Sequence, residues 1–486
     1  MAWNQLAAEL WTKIADNCDR DGVRALCAPE IPAHIRDSAR VVYFRHLSFG
    51  TYNLTADIGL SNANEDQYRS SLIALKQERS RQRFTELPLT PFVRHVRSWT
   101  YHSILPGLRA TDAVGMYNGT LWPLFIVNLP RYIGLTRLDL ERVVIDDAAV
   151  ASVNALGNLK DLKLNYVLVT SRTNVLHAHN YLTRLFYEDD SYSFYPSLFL
   201  GVCSTLTILE LAVTKDEYRK LYSTLEQCHV LEILSIDLLE TEEEPFERPP
   251  LEEPLSLTAC PDLSQYTGPA YYAADIITGR PVHSIKLTQT PEHAEQHPGC
   301  IDWIREHFTK GTVPVRSFDI PRWDASACEE TFPTLFMEFK NLESLRIVID
   351  PILLADAGNH DDEPGRSGRY NAWHYLNILH LLSGPLPYEI PSTLRVLELV
   401  TETKYERHPT HTFDQVVTAL RNSPQFANLR KLTVGTEQCF QTWQRSDAGI
   451  WDMTQRKVYE FDFDGEELRE SDFEDDVYDE GSEMYE

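Results

Sequence analysis

Apolar and polar positions along the chain repeat one short phrase, with apolar residues at the first, fourth and sixth of six places and polar residues mostly between them. It occurs as LTRLDL at Leu135, LKDLKL at Leu159, LTILEL at Leu206, LEILSI at Leu231, LESLRI at Leu342, LRVLEL at Leu394 and LRKLTV at Leu429, with weaker copies at Val282 and Val315. On an extended chain the fourth and sixth side chains share one face while the fifth takes the other, so each phrase predicts a short half-buried strand. Between phrases lie helical patterns. Asp147 to Gly157 has an acidic start, a good helical run and a glycine stop, and Lys215–Cys228, Cys300–Phe308, Ala325–Phe339, Asn371–Leu382 and Phe413–Arg421 fill the same role. Strand followed by helix, over and over, predicts a curved α/β solenoid in which each unit covers its apolar side only by stacking on its neighbours.

The phrase starts lie 24 residues apart from Leu135 to Leu159, 25 from Leu206 to Leu231 and 27 from Val315 to Leu342. From about Pro91 to Thr436 the array resembles leucine-rich-repeat proteins. It departs from that family where an asparagine or cysteine is expected after each strand, since residues such as Val143, Val167, Thr214 and Leu239 stand there instead. The side-chain ladder that regularises those turns is therefore missing. Glu240–Pro254 and Ala355–Arg369 look like excursions from the array, and Thr170–Gly201, rich in aromatic residues, fits no element.

Ahead of the array, Leu6, Leu10 and Ile14 fall at four-residue steps with Trp11 beside them, which predicts one apolar helical stripe. The run Asp16-Asn17-Cys18-Asp19 ends that helix. A second helix starts at Asp21 and presents Val23, Leu26 and Cys27 before Pro29, and a third spans Ala33–Phe44. Three short helices cannot build a large core of their own, so part of this surface needs a partner or the adjoining array.

Three stretches here resemble the F-box family: Leu6-x-x-Glu9-Leu10-Trp11-x-x-Ile14, then Asp21-x-Val23-x-Ala25-Leu26, then Val41 to Phe49 leading into a repeat domain. The resemblance covers about the first fifty residues; Ala7 stands where the family carries proline, and Cys27–Arg40 fits it poorly. An F-box before leucine-rich repeats implies the substrate receptor of a cullin-type (SCF) ubiquitin ligase. Leu6, Glu9, Leu10, Trp11, Ile14, Val23 and Leu26 would then meet a Skp1-like adaptor, and the repeats would hold a protein target. The alternative is a repeat scaffold with no ubiquitin role whose N-terminal helices cap the solenoid.

The expected architecture is thus an α/β leucine-rich-repeat-like solenoid: an F-box-like helical region over 1–49, a connecting helical segment over 50–90, the degenerate array over 91–440, and a C-terminal extension over 441–486 ending in an acidic disordered tail. From Tyr459 to Glu486 fourteen residues are acidic and one, Arg469, is basic, about half of the net charge of −27. Such a charge repels phosphate backbones and argues against nucleic acid as a partner. No apolar run is long enough for a membrane span, and no basic-then-apolar leader opens the chain, so a cytoplasmic or nuclear protein is expected.

Eight scattered cysteines without a C-x-x-C pair suit neither a zinc site nor a disulfide framework. His293 and His297 sit in HAEQH, off the H-E-x-x-H order, and neither His177/His179 nor His408/His411 has a third ligand nearby. No nucleophile elbow, phosphate loop or dinucleotide fingerprint is present, so no catalytic residue, metal or cofactor is assigned and no enzyme is expected. The outward strand position carries Asp139, Lys163, Glu210, Ser235, Lys286, Asp319, Arg346, Glu398 and Thr433. This mixed-sign row suits a protein target with its own charge pattern.

Overall fold

A computed structural model describes residues 7–50, 78, 80–103, 121–171, 175–177, 181–189, 194–214, 217–239, 255–288, 308–324, 328–350, 388–401, 418–436 and 440–457. Leu6, the tail Tyr459–Glu486, the excursions Glu240–Pro254 and Ala355–Arg369, the helix Asn371–Leu382, His179 and the pairs His293/His297 and His408/His411 lie outside the described residues. The described residues form two compact units, 7–228 and 229–457. Both are α/β and built on mostly parallel strands, sixteen in all among the described residues.

The first unit opens with three helices, α1 (Ala8–Asp16), α2 (Arg20–Leu26) and α3 (Ala33–Tyr43). They are followed by β1 (His46–Gly50), β2 (Ser98–His102), α4 (Leu121–Asn128), β3 (Arg137–Glu141), β4 (Val144–Ile145), α5 (Asp147–Asn154), β5 (Asp161–Val169), β6 (Arg184–Asp189), β7 (Ile208–Val213) and α6 (Tyr218–Leu225). The pairs β1–β2, β2–β3, β3–β5, β5–β6 and β6–β7 are all parallel, with β4 a side pairing on β5. Parallel neighbours need a crossover, which the helices and 3₁₀ turns between strands supply. The α5 start follows its sequence: the Asp146 carboxylate accepts from the Ala149 amide at 2.8 Å. Its end does not, because the helix stops at Asn154, short of Gly157.

Two inward rows form the core of this unit. Leu47, Trp99, Leu138, Leu162, Leu185 and Leu209 stand in register, as do Phe49, Tyr101, Leu140, Leu164, Tyr187 and Leu211. All but Phe49 are buried. Each such side chain stabilises the fold by roughly 1.5–3 kcal/mol relative to exposure. The first strands pack aromatic on aromatic, with the Phe125 ring 4.8 Å from Tyr101 and 5.1 Å from Trp99. Thr170–Gly201, unassigned from sequence, contains β6, whose phrase LTRLFY carries Tyr187 where the quoted phrases carry leucine, isoleucine or valine.

The second unit runs β8 (Ile233–Leu238), β9 (Gln265–Gly268), α7 (Ala270–Ile277), β10 (Ser284–Leu287), β11 (Ser317–Asp324), α8 (Cys328–Glu338), β12 (Ser344–Asp350), β13 (Val396–Thr401), β14 (Lys431–Thr436), β15 (Phe440–Arg445) and β16 (Trp451–Lys457). Neighbours are parallel through β14 and antiparallel from β14 to β16. The closing pair lies in the extension expected after residue 440. Leu234, Tyr266, Ile285, Phe318, Leu345, Leu397 and Leu432 make the inward row, all buried. Arg280 is wholly buried, and its guanidinium donates to the carbonyls of Ser256, Ala259, Asp275, Ile276 and Thr278 at 2.6–3.1 Å. Two of those carbonyls belong to the last turn of α7, where a cation is favoured by the helix dipole.

In both units the backbone carbonyl just before most of the parallel strands accepts two successive amides from the start of the neighbouring strand. Thr136 receives from Lys160 and Asp161, Lys160 from Thr183 and Arg184, and Thr183 from Thr207 and Ile208. In the second unit Glu232, Ser264, His283, Arg316, Glu343 and Arg395 repeat the arrangement. The distances run from 2.7 to 3.3 Å. Both lone pairs of each carbonyl are thereby used, and the hydroxyls of Thr136, Thr183, Thr207 and Ser264 add a further donor to the same oxygens. Among the described residues this backbone ladder fixes strand register in place of the missing asparagine ladder. No helix among them is long and apolar enough to cross a membrane.

Candidate functional site

The three N-terminal helices meet through small side chains. Ala15 of α1, Cys27 at the end of α2 and Ala39 of α3 form a shared buried cluster, with Leu26, Val42 and Tyr43 packed around it. Small residues let the helices approach closely. The Asp19 carboxylate caps α2 by accepting from the Gly22 amide at 2.8 Å. Burial pushes the Cys27 thiol pKa up, against the opposing pull of Arg40 and Arg36. The assembly is tied to the start of the sheet: Asp16 pairs with Arg45 at 2.6 Å, and the Phe44 and Phe92 rings lie 5.4 Å apart.

This packing divides the expected adaptor-facing residues. Trp11 and Val23 are buried inside the unit, so the structure corrects their placement on a partner-facing surface, and Leu26 is half-buried against the cluster. Glu9 is exposed, as are Leu10 at 46% and Ile14 at 37%. The expected single stripe is therefore two. Trp11 and Ala15 face the core, while Leu10 and Ile14, each one residue earlier and so about 100° around the helix, form an outer apolar edge.

Register brings the predicted outward residues into two rows. In the first unit the row is Thr100, Asp139, Lys163, Phe186 and Glu210. In the second it is Ser235, Thr267, Lys286, Asp319, Arg346, Glu398 and Thr433. Thr100, Phe186 and Thr267 were not legible in the phrase pattern, because an aromatic residue or glycine takes at least one of the apolar places in their strands. Asp139 and Lys163 are direct neighbours, whereas Phe186 separates Lys163 from Glu210.

Most of these charges are already engaged. Arg346 donates to Asp319 at 3.0 Å and lies 3.9 Å from Glu398, which also accepts from Lys431 at 2.5 Å. Glu210 accepts from Arg184 at 2.7 Å, and the Lys163 ammonium sits 5.0 Å over the Phe186 ring. Asp139 differs: its Oδ1 is buried without a hydrogen-bond partner. Desolvation raises its pKa above the ordinary carboxylate value, outweighing the opposing pull of Lys163, His102 and Arg137. Asp319 is raised for the same reason, despite Arg346 beside it.

Just past the ends of the β3 and β5 phrases, Arg142 and Tyr166 both adopt left-handed backbone, φ 54 and 48, and the guanidinium lies 5.7 Å over the ring. Such conformations are strained for side-chain-bearing residues and concentrate at functional sites. Nothing in the sequence marks them. Among the described residues no group of three or more His, Cys, Asp or Glu side chains is placed to hold a metal ion. No protein-family model matches the chain, and no curated protein matches it.

Proposed function

We propose that the chain is a non-enzymatic substrate receptor of a cullin-type ubiquitin ligase, working in the cytoplasm or nucleus. The N-terminal helices take a Skp1-like adaptor, and a leucine-rich-repeat-like solenoid presents its outward strand rows to a protein target. The observation that carries the reading is the outer edge of α1, where Leu10 and Ile14 stand exposed one turn apart on a helix whose adjoining face is already packed by Trp11 and Ala15. Exposed apolar side chains grouped on a folded helix favour a protein partner. The rows of Asp139, Lys163 and Glu210, and of Lys286, Asp319, Arg346 and Glu398, support recognition by charge pattern, because paired surface charges discriminate among partners more than they add affinity.

The second reading, a cap on the repeat array, is favoured by the Asp16–Arg45 pair and the Phe44–Phe92 contact that attach the helices to the first strands. Affinity purification of the tagged full-length chain from cells separates the two. Co-purification of a Skp1-like adaptor together with a cullin is the expected result. Recovery of neither, from a folded and abundant chain, would leave the cap as the only role of the helices.

A further inference from the structure

In a chain of net charge −27, one edge of the first unit has the opposite character. At the starts of β1, β2 and β3 the backbone ladder draws several basic residues together. The Arg97 amide donates to the Arg45 carbonyl at 2.8 Å, and the Arg97 side chain donates through Nη1 to the carbonyls of Gly134 at 2.8 Å and Arg94 at 3.4 Å. Arg94 Nε donates to His95 Nε2 at 3.1 Å. His46, hydrogen-bonded to Ser98 at 2.7 Å, shares its register row with Ser98 and Arg137. Asp16 answers Arg45, and Asp161 lies 3.7 Å from Arg137.

Arg94 and Arg97 have no ion pair among the described residues, and both are exposed. Arg97 is anchored through one nitrogen, which leaves Nε and Nη2 without a partner there. Burial and the surrounding arginines hold His95 below its ordinary pKa. The Arg97 guanidinium is fixed by backbone carbonyls and that of Arg94 by the His95 ring, both with donors to spare, and guanidinium groups match oxyanions in a planar two-point geometry.

We infer that this basic edge, centred on Arg94 and Arg97 with Arg45, His46 and Arg137 around it, is a binding surface for an oxyanion-rich polypeptide segment. The shared chemistry is a cluster of side-chain carboxylates or phosphoryl groups. A peptide is favoured over nucleic acid because a long phosphate backbone reaches beyond the edge into the field of a strongly acidic chain, whereas a short segment acts within about 8 Å at physiological ionic strength. The surface is independent of the adaptor reading, and neither requires the other.

The test is fluorescence anisotropy on the full-length protein with four labelled probes: a Glu/Asp-rich peptide, a phosphoserine peptide, a neutral peptide of equal length, and a single-stranded oligonucleotide matched in charge to the acidic peptide. At least one acidic probe binds and the neutral peptide does not, with affinity falling as ionic strength rises. Whether the carboxylate or the phosphoryl probe binds more tightly assigns the source. Arg94→Gln weakens binding about three-fold and Arg94→Glu about ten-fold, while Arg94→Lys, which keeps the charge but loses the two-point fork, falls between wild type and Arg94→Gln, and Arg219→Glu, on α6, changes nothing. Equal affinity for wild type and Arg94→Glu, absence of binding by both acidic peptides, or tighter binding of the oligonucleotide than of either would overturn the proposal.

Discussion

The Nε of Arg280 donates to the carbonyl of Ala259 at 2.7 Å, which fastens the segment after β8 to the end of α7 through a side chain with no solvent exposure. Four further carbonyls share the same guanidinium. Removing it leaves buried acceptors unmet, at roughly 1–3 kcal/mol for each that finds no water. Arg280→Met should therefore destabilise the second unit by about 3 kcal/mol or more, with Arg280→Lys intermediate because it offers three donors instead of five. Amide exchange across residues 255–280 checks this; unchanged protection in Arg280→Met would mean that the carbonyls do not need the guanidinium.

Inward and outward strand positions should differ sharply under mutation. Leu209 is buried, the last residue of the first unit's inward row, so Leu209→Ala is expected to cost about 2–5 kcal/mol. Glu210, the next residue, makes a partly exposed pair with Arg184, and Glu210→Gln should cost less than about 1 kcal/mol. Urea denaturation of the two variants side by side is the measurement, and similar losses would contradict the strand register.

Asp139 supplies a prediction in pH. Its pKa is raised by burial from 3.8, so the folded state holds its proton more tightly than the unfolded state does. Its contribution to stability is then fully present below about 3.8 and is lost as pH rises through the folded value. Asp139→Asn removes an ionised carboxylate whose Oδ1 is buried and unpartnered. The variant should melt higher than wild type at neutral pH, and the difference should shrink as pH falls. A gap that widened toward acid would mean that the carboxylate is stabilised when charged.

Much of the strand pattern was legible because leucine, isoleucine and valine hold the phrase positions in strands such as β3, β5 and β12. It failed where aromatic residues take over. Trp99 and Tyr101 in β2 and Tyr187 in β6 fill the same inward places with rings. In β9 the sixth place is Gly268, with φ +158, where an added Cβ would lie 2.6 Å from the Tyr266 hydroxyl, so the ring of one phrase residue occupies the space of the next apolar place. The carbonyl ladder is a backbone device, and only hydroxyls such as Thr136 and Ser264 hint at it. In the helical region the inward face depends on Ala15 and Ala39, which carry too little apolar area to compete in a periodicity with Leu10 and Ile14. Pairing of Arg346 with Asp319 links residues 27 apart, a relation that exists only once register is known.

The most direct test of the proposed receptor role is calorimetric titration of a purified Skp1-like adaptor into the full-length chain, wild type against the Leu10→Asp/Ile14→Asp double variant. Because both side chains are already exposed, the substitutions should leave the circular dichroism and melting temperature nearly unchanged. A charge on an apolar contact edge is costly to desolvate in a complex. Saturable binding by wild type and a loss of at least about ten-fold in the folded double variant is the predicted result. Equal binding by the two proteins, or none by a folded wild type, would contradict it.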